Sequence, residues 1–334
     1  EEIMIFKKIF KYLAYGFGAL FLLIFILLFV IQVPFIQTKI AHFATDWLSE
    51  KVQSKISVDK IDINFIDRVS VKGIYIEDLE GDTLLYASDL NVNISLFGIL
   101  KNDINLEKID LKKSVIRLKQ DKDSTFNYQF LLDAFDSEDT TSSSYVIKVG
   151  EVSLQDIQAS AKLLSGNYNL SLKSTFLQMK EMDLDKMLID INKVEIDQLK
   201  LHAIVFESIE NLPTDLPKDT LAQNVEFPLK DLGMEVLCES ILITNSNIFY
   251  QNGNIVKGKY FDPNDINLQN LNLAINNLHV DENKAQLEVE KVSVNLNNEF
   301  DLQELKFILT FDEKIASIKG LELLTARSKG KADV

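Results

Sequence analysis

Apolar and polar residues alternate with a period of two along most of this chain, and that rhythm restricts it to β-sheet. Asp62 to Phe65 begin it, Val69 and Val71 continue it, and Leu90, Val92, Ile94 and Leu96 follow. It runs almost to the end, through Leu271, Leu273 and Ile275, then Leu287 and Val289, then Val292, Val294 and Leu296, and last Phe307, Leu309 and Phe311. Side chains on a strand point to alternate sides, so each run has one apolar and one polar face and belongs to a half-buried strand.

A second pattern lies on top of the first. Ile104, Leu106, Ile109 and Leu111 step by two, three and two, and so do Ile189, Ile191, Val194 and Ile196, with Leu199 and Leu201 extending the run. Leu273, Ile275, Leu278 and Val280 do the same, as do Leu287, Val289, Val292 and Val294. A three-residue step inside a two-residue rhythm would move every later side chain to the wrong face. One extra residue in a bulge restores the face and bends the strand. Bulges repeated at similar places curve a whole sheet one way. The expected body is therefore an elongated, curved antiparallel β-sheet with few helices, whose apolar side forms a trough.

Turn chemistry agrees with this. Asn252-Gly253 stands between Phe249-Tyr250 and Ile255-Val256, a hairpin signal. Gly166-Asn167 and Glu80-Gly81-Asp82 separate further strand pairs. The prolines, Pro34, Pro213, Pro217, Pro228 and Pro263, all fall outside the alternating runs, as ladder pairing requires. Two stretches break the rhythm: Asp136 to Ser144 is acidic and rich in Ser and Thr, and Asn211 to Pro228 holds three of the prolines. They divide the body into strand blocks at 57–135, 145–206 and 229–334, the last expected to continue beyond Val334. No strict repeat period joins the blocks.

Ahead of the strands, Tyr12 to Gln37 carries no charge, and Phe17 to Val33 is almost wholly Leu, Ile, Phe and Val. A helix rises ~1.5 Å per residue and the bilayer hydrocarbon is ~30 Å thick, so about 20 apolar residues are needed to cross it. The expectation is a transmembrane helix at 12–33, with Phe17, Leu20, Ile24, Leu28 and Val33 as membrane-anchor residues. The run is longer than a signal peptide's apolar region and lacks a small-residue cleavage site. Lys7, Lys8 and Lys11 precede it and Lys39 is the first cation after it. Residues 1–11 are then a cytoplasmic tail and the bulk lies outside, in the periplasm of a Gram-negative cell. Over 34–56 an amphipathic, membrane-proximal helix is expected, with Ile36, Ile40, Phe43, Trp47 and Leu48 as its apolar stripe. That stripe would lie on the membrane surface or pack on the first strands.

Composition narrows the function. In 334 residues the net charge is −15 and no basic stripe appears, so nucleic acid is set aside as a partner. A single cysteine, Cys238, allows no intramolecular disulfide and no zinc cluster. The histidines, His42, His202 and His279, fall in no metal-spaced pair and beside no nucleophile motif, and there is no Gly-rich phosphate loop. Asp78, Asp82 and Asp89 lie near a turn, where Asp is common, and their spacing is not that of a calcium loop. The expectation is a chain that is not an enzyme and holds neither metal nor cofactor.

The order of features resembles the N-terminal region of the TamB/AsmA-like family, within the wider group of bridge-like lipid-transfer proteins. The residues that carry the likeness are the apolar run ending near Pro34, the helix with Trp47-Leu48, Ile61 to Phe65, Val71 to Asp78, Gly81 to Ala87 and Leu90 to Ile94. Ile104 to Leu111 and Thr125 to Tyr128 complete it. The likeness covers about the first 135 residues; later blocks share only the strand pattern. It implies a β-taco anchored in the inner membrane by a single pass. Its apolar groove would conduct phospholipids toward the outer membrane, with an outer-membrane barrel of the TamA or BamA kind as a partner. The candidate lining is Val69, Val71, Leu90, Val92, Ile94, Leu96, Ile104, Leu106, Leu271, Leu273, Leu287, Val289, Val292 and Val294. Two other expectations stand beside the conduit: a scaffold that guides client strands at a sheet edge, and a closed β-sandwich ectodomain.

Overall fold

The computed structural model describes residues 33–64, 68–94, 103–135, 146–183, 186–206, 233–253, 262–312 and 316–333. Helix α1 (Pro34–Val52) leads into β1 (Ile56–Ser57), β2 (Lys60–Asn64), β3 (Arg68–Glu77), β4 (Thr83–Ile94) and β5 (Asp103–Lys119). A short α2 (Gln129–Phe135) precedes β6 (Val146–Leu163), β7 (Gly166–Asp183) and β8 (Leu188–Val205). The last group is β9 (Glu235–Asn252), β10 (Asp265–Val280), β11 (Lys284–Leu296), β12 (Phe300–Asp312), β13 (Ala316–Thr325) and β14 (Lys329–Ala332). No helix among the described residues is long and apolar enough to cross a membrane. The expected anchor residues Phe17, Leu20, Ile24 and Leu28 lie outside the described residues, and Val33 is the N-cap of α1.

All strands belong to one sheet, and their order in space is their order in sequence, with β1 and β2 lying end to end along β3. The sheet is antiparallel except at two joints. There β5 runs parallel to β6 and β8 parallel to β9, which corrects the wholly antiparallel expectation. The joints fall where the Ser/Thr-rich and Pro-rich interruptions were read. The reason is geometric: two strands of the same sense need a crossover of a dozen residues or more, which no tight hairpin supplies. Another tight turn is corrected as well. Asn252 closes β9 against Asn264, and β10 starts at Asp265, so Asn252-Gly253 opens a longer connection.

Among the described residues each strand packs on its ladder neighbours, and no second sheet lies across them. The two ends, β1 and β14, do not meet, so the sheet is open and the sandwich expectation fails. Its sparse core agrees: among the described residues those under 2 % exposed are small, Ala87, Ser114 and Ser246.

The three-residue steps are real: on β10 and β11 they fall at bulge-type register shifts, between Asn276 and His279 and between Val289 and Val292, while along the parallel joints they are organised differently. Along the β5–β6 joint the register never slips, from Asp103 opposite Val146 to Lys119 opposite Lys162. Lys113 (φ 49°) therefore lies level with Asp156 (φ 54°), both in the left-handed region. The β8–β9 joint likewise sets Gln198 (φ 53°) level with Asn245 (φ 50°). Ladder pairing carries the same level through Gly73 (φ 62°) on β3, Ser88 on β4 and Lys173 on β7. From β3 to β9 the ladders stay matched across this level, so that part of the sheet folds along one line, whereas the ladders from β9 to β13 shift register. A second line crosses Glu107, Gly150, Asn192, Glu239 and Asn277. There the backbones approach so closely that a Cβ on Gly150 would stand 2.5 Å from the Glu107 carbonyl oxygen. These lines explain how strands of 18 residues, such as β6, β7 and β8, exist in one sheet when the usual strand has about 5–6. Each is a series of short straight arms.

Helix α1 ends at Val52, where Gln53 turns left-handed (φ 55°) and donates its N–H to the Ser49 carbonyl. Residues 53–56 are therefore not helical, which shortens the expected 34–56 element. Its packing face is also the opposite of one expectation. Gln37, Ala41, Thr45 and Val52 are buried, while Ile40, Phe43 and Trp47 are exposed. The cause is the free edge of β1 and β2, whose backbone groups need partners. Ile63 N–H donates to Gln37 Oε1 at 2.7 Å, and Gln37 Nε2 donates to the Ile63 carbonyl at 2.7 Å. Ser49 Oγ accepts the Ile56 N–H at 2.8 Å. A polar helix face thus closes an edge that would otherwise template strand pairing.

Candidate functional site

Residues paired directly across a ladder point to the same face, so the register identifies what each face carries. One row runs Val71, Leu90, Leu111, Leu154, Thr175, Ile196, Ile243, Leu273, Val292, Leu305 and Leu323, from β3 to β13. Only Thr175 in it is polar. The next row is Val69, Val92, Ile109, Val152, Leu177, Val194, Ile241, Ile275, Val289 and Phe307. At ~4.8 Å per strand the first row is about 48 Å long. The rows cross the strands, so any trough they line runs along the sheet, not along a strand.

Beyond the first fold line the face continues with Ile74, Ala87, Ser114, Ile157, Leu172 and Leu199, with Ser246 and Leu271 after them. This is where side chains disappear from solvent: Ala87 and Ser114 are 1 % exposed, Ser246 0 %, Ile157 6 % and Leu271 8 %. Among the described residues no second layer covers them, and their burial fits a face that closes on itself along the fold line. Small residues at the apex fit that crowding. Ser246 Oγ accepts the Leu199 N–H at 3.1 Å and donates to the Thr244 carbonyl at 2.9 Å, which satisfies a hydroxyl buried among apolar groups. The apolar face is the inner one.

The opposite face carries Ser70, Asn91, Asp110 and Ser153, and Lys72, Asp89, Lys112 and Gln155. Residues at the fold lines are tied there by polar contacts. Lys173 Nζ donates to Asp156 Oδ1 at 2.6 Å, Lys180 reaches past β8 to Glu239, and Asp197 accepts from Thr244 Oγ1 at 2.8 Å and Asn245 Nδ2 at 3.1 Å. A cleft of about 480 Å³ is also lined by Val115, Gln158 and Lys200 and by the next row, Arg117, Ser160 and His202.

Of the lining expected from sequence, the ladders bring Val69, Val71, Leu90 and Val92 together on the inner face. Ile94 pairs Leu106 beyond a register shift, and Leu271, Leu273, Leu287, Val289, Val292 and Val294 share the face at the far end. Ile104 is placed by its backbone in β5, and Leu96 lies outside the described residues. The middle of the face was missed: Leu154, Leu177, Val194, Ile196, Ile241 and Ile243 complete the rows. Their alternation is as regular as that of the named residues. The missing information was the parallel register at the two joints, which periodicity does not encode.

Titratable side chains gather at two further places among the described residues. Asp78, 1 % exposed at its side chain, accepts the N–H groups of Glu80 and Asp82 and the Asn127 Nδ2 amide at 3.0 Å. Lys119 Nζ bonds Asp82 and stands 3.2 Å from Glu80 and 3.8 Å from Asp78, so this acidic turn already holds a cation of its own. Asp89 belongs elsewhere, 3.8 Å from Lys72. Cys238 is buried on the inner face, and burial pushes its thiol up, away from a reactive thiolate. His279 Nε2 stands 3.0 Å from Glu235 Oε1 and 3.2 Å from Asp281 Oδ2 at the ends of β9 and β10. No family model, no curated protein and no solved structure matches the chain.

Proposed function

We propose that this protein is a lipid conduit: anchored in the inner membrane by its N-terminal apolar run, with its cytoplasmic end at residues 1–11, it carries phospholipids across the periplasm toward the outer membrane. The observation that carries this is a pair of adjacent rows on the inner face of an open single-layered sheet, one from β3 to β13 with Thr175 its one polar member and one wholly apolar from β3 to β12. An apolar sheet face needs a cover, and among the described residues no protein element covers this one. Acyl chains are the cover that fits. Half a bilayer's hydrocarbon is about 15 Å, so the rows hold several chains in file with headgroups at the open side.

The mechanism is passive. The row residues are already partly buried, so each retains about a quarter of the ~1.5–3 kcal/mol that full burial is worth. A chain therefore gains only a few tenths of a kcal/mol at each rung, close to RT, which holds it in the trough without trapping it. No bond is made or broken, so no catalytic residue, metal or cofactor enters. A second reading is a scaffold for outer-membrane protein assembly with a barrel partner of the TamA or BamA kind, which would take client strands at a sheet edge.

Interrupting the rows separates the two. Val152→Asp with Ile241→Asp puts charges in the middle of the inner face while leaving both ladders their backbone bonds. The conduit loses phospholipid co-purification and transfer between vesicles, with the circular dichroism of the sheet retained. Retained transfer would overturn the proposal, and lost client assembly with intact lipid binding would favour the scaffold.

A further inference from the structure

Helix α1 has two working faces. At ~100° per residue, Gln37, Ala41, Thr45 and Val52 fall in one arc, the arc buried against β1 and β2. Ile36, Ile40, Phe43 and Trp47 fall in a narrow stripe on another side, spaced by four, three and four residues. Ile40 is 51 % exposed, Phe43 75 % and Trp47 53 %, and Phe35, nearby, is 67 % exposed. Large apolar side chains this exposed on a stripe this regular cost solubility and have no use within the sheet.

We infer that this stripe lies in the interface of a phospholipid bilayer, with α1 parallel to the membrane surface and the β1–β3 end of the sheet held against it. The inference rests on the anchor read at 12–33, whose end at Val33 is the N-cap of α1. A helix starting where a span ends has its first turns at headgroup depth. From Ile36 to Trp47 the stripe is about 16 Å long at ~1.5 Å per residue, and it carries the aromatic groups that favour the interface. Lys39 Nζ sits 4.8 Å over the Phe35 ring and Lys51 Nζ 5.5 Å over the Trp47 ring, so lysine side chains border the exposed aromatic groups, as at an interface. Asp46 and Glu50 balance those two charges. The attachment is therefore driven by apolar insertion and not by anionic lipid. Its consequence is positional: the start of the apolar rows, at Val69 and Val71 on β3, opens beside the membrane that supplies the lipid.

Trp47 is the chain's single tryptophan, so its emission reports α1 alone. The full chain is reconstituted into zwitterionic vesicles whose lipids carry bromine either near the glycerol end or near the methyl end of the acyl chain, and the vesicles are floated. The expected result is flotation and a blue-shifted Trp47 emission. Lipid brominated near glycerol should quench it by about half, because indole settles at headgroup level. Quenching from the methyl end should be weaker, and high salt should change neither. Phe43→Asp should abolish the quenching without preventing flotation. A floated protein whose Trp47 is unquenched overturns the inference and leaves the anchor standing. That holds whether its emission is that of an indole in water or is blue-shifted by a second copy. A protein that neither floats nor quenches overturns both.

Discussion

Thr175 is the one polar side chain in its row of the inner face, and its buried hydroxyl oxygen has no hydrogen-bond partner. An unsatisfied buried hydroxyl is destabilising by ~1–3 kcal/mol. Thr175→Val keeps the shape and removes the hydroxyl, so it should raise the urea midpoint, with a gain of about 1 kcal/mol. Asp78 is the opposite case, a buried carboxylate with every neighbour in place. Burial pushes its pKa up, but the Asn127 amide, the Asp82 and Glu80 N–H groups and the Lys119 charge outweigh that and hold it below the ordinary carboxylate value. A carboxyl depressed in the folded state stabilises above its unfolded pKa and loses that contribution as pH falls through its folded value. Asp78→Asn should therefore cost ~1–3 kcal/mol at neutral pH. Its deficit against the wild type should narrow as pH drops below ~4, measured as paired urea denaturations down the pH series.

The elements owe their shape to the aligned steps. Lys113 is exposed and left-handed (φ 49°) at the first fold line. A β-branched residue is held there against its preference, so Lys113→Val should destabilise by ~1–2 kcal/mol. Lys113→Gly, which adopts that φ freely, should be neutral or stabilising. Equal costs for both in thermal denaturation would show that the fold line does not depend on left-handed backbone. The apolar steps at Leu106 to Ile109 and Ile191 to Val194 were legible because each shifts the two-residue rhythm in plain view. Their alignment across strands was not, since it depends on which residues the parallel joints set side by side. For α1 the stripe of Ile36, Ile40, Phe43 and Trp47 was legible and its direction was not. A polar Gln37 on the buried face makes sense only once Ile63 is seen as an edge residue whose backbone it completes.

At the scale of the whole molecule the architecture follows from one economy: many strands, one sheet and no covering layer. The alternation announced a half-buried sheet, and the scarcity of helical periodicity after α1 announced that nothing helical would cover it. What the pattern could not tell was whether another sheet would, because a sandwich and an open trough share the same two-residue rhythm. The ladders decide that in favour of the open sheet among the described residues, and they join the two ends of the inner face through the middle strands. The claim most in need of a direct measurement is that lipid lies along that face. A photoreactive amino acid placed in cells at Val92, Ile196 and Val294 samples its beginning, middle and far part. Asn91, Glu195 and Asn295 are their neighbours on the polar face. Phospholipid adducts at the first three and not at the second three are the expected result. Adducts at neither set, or equally at both, would contradict a lipid-filled groove.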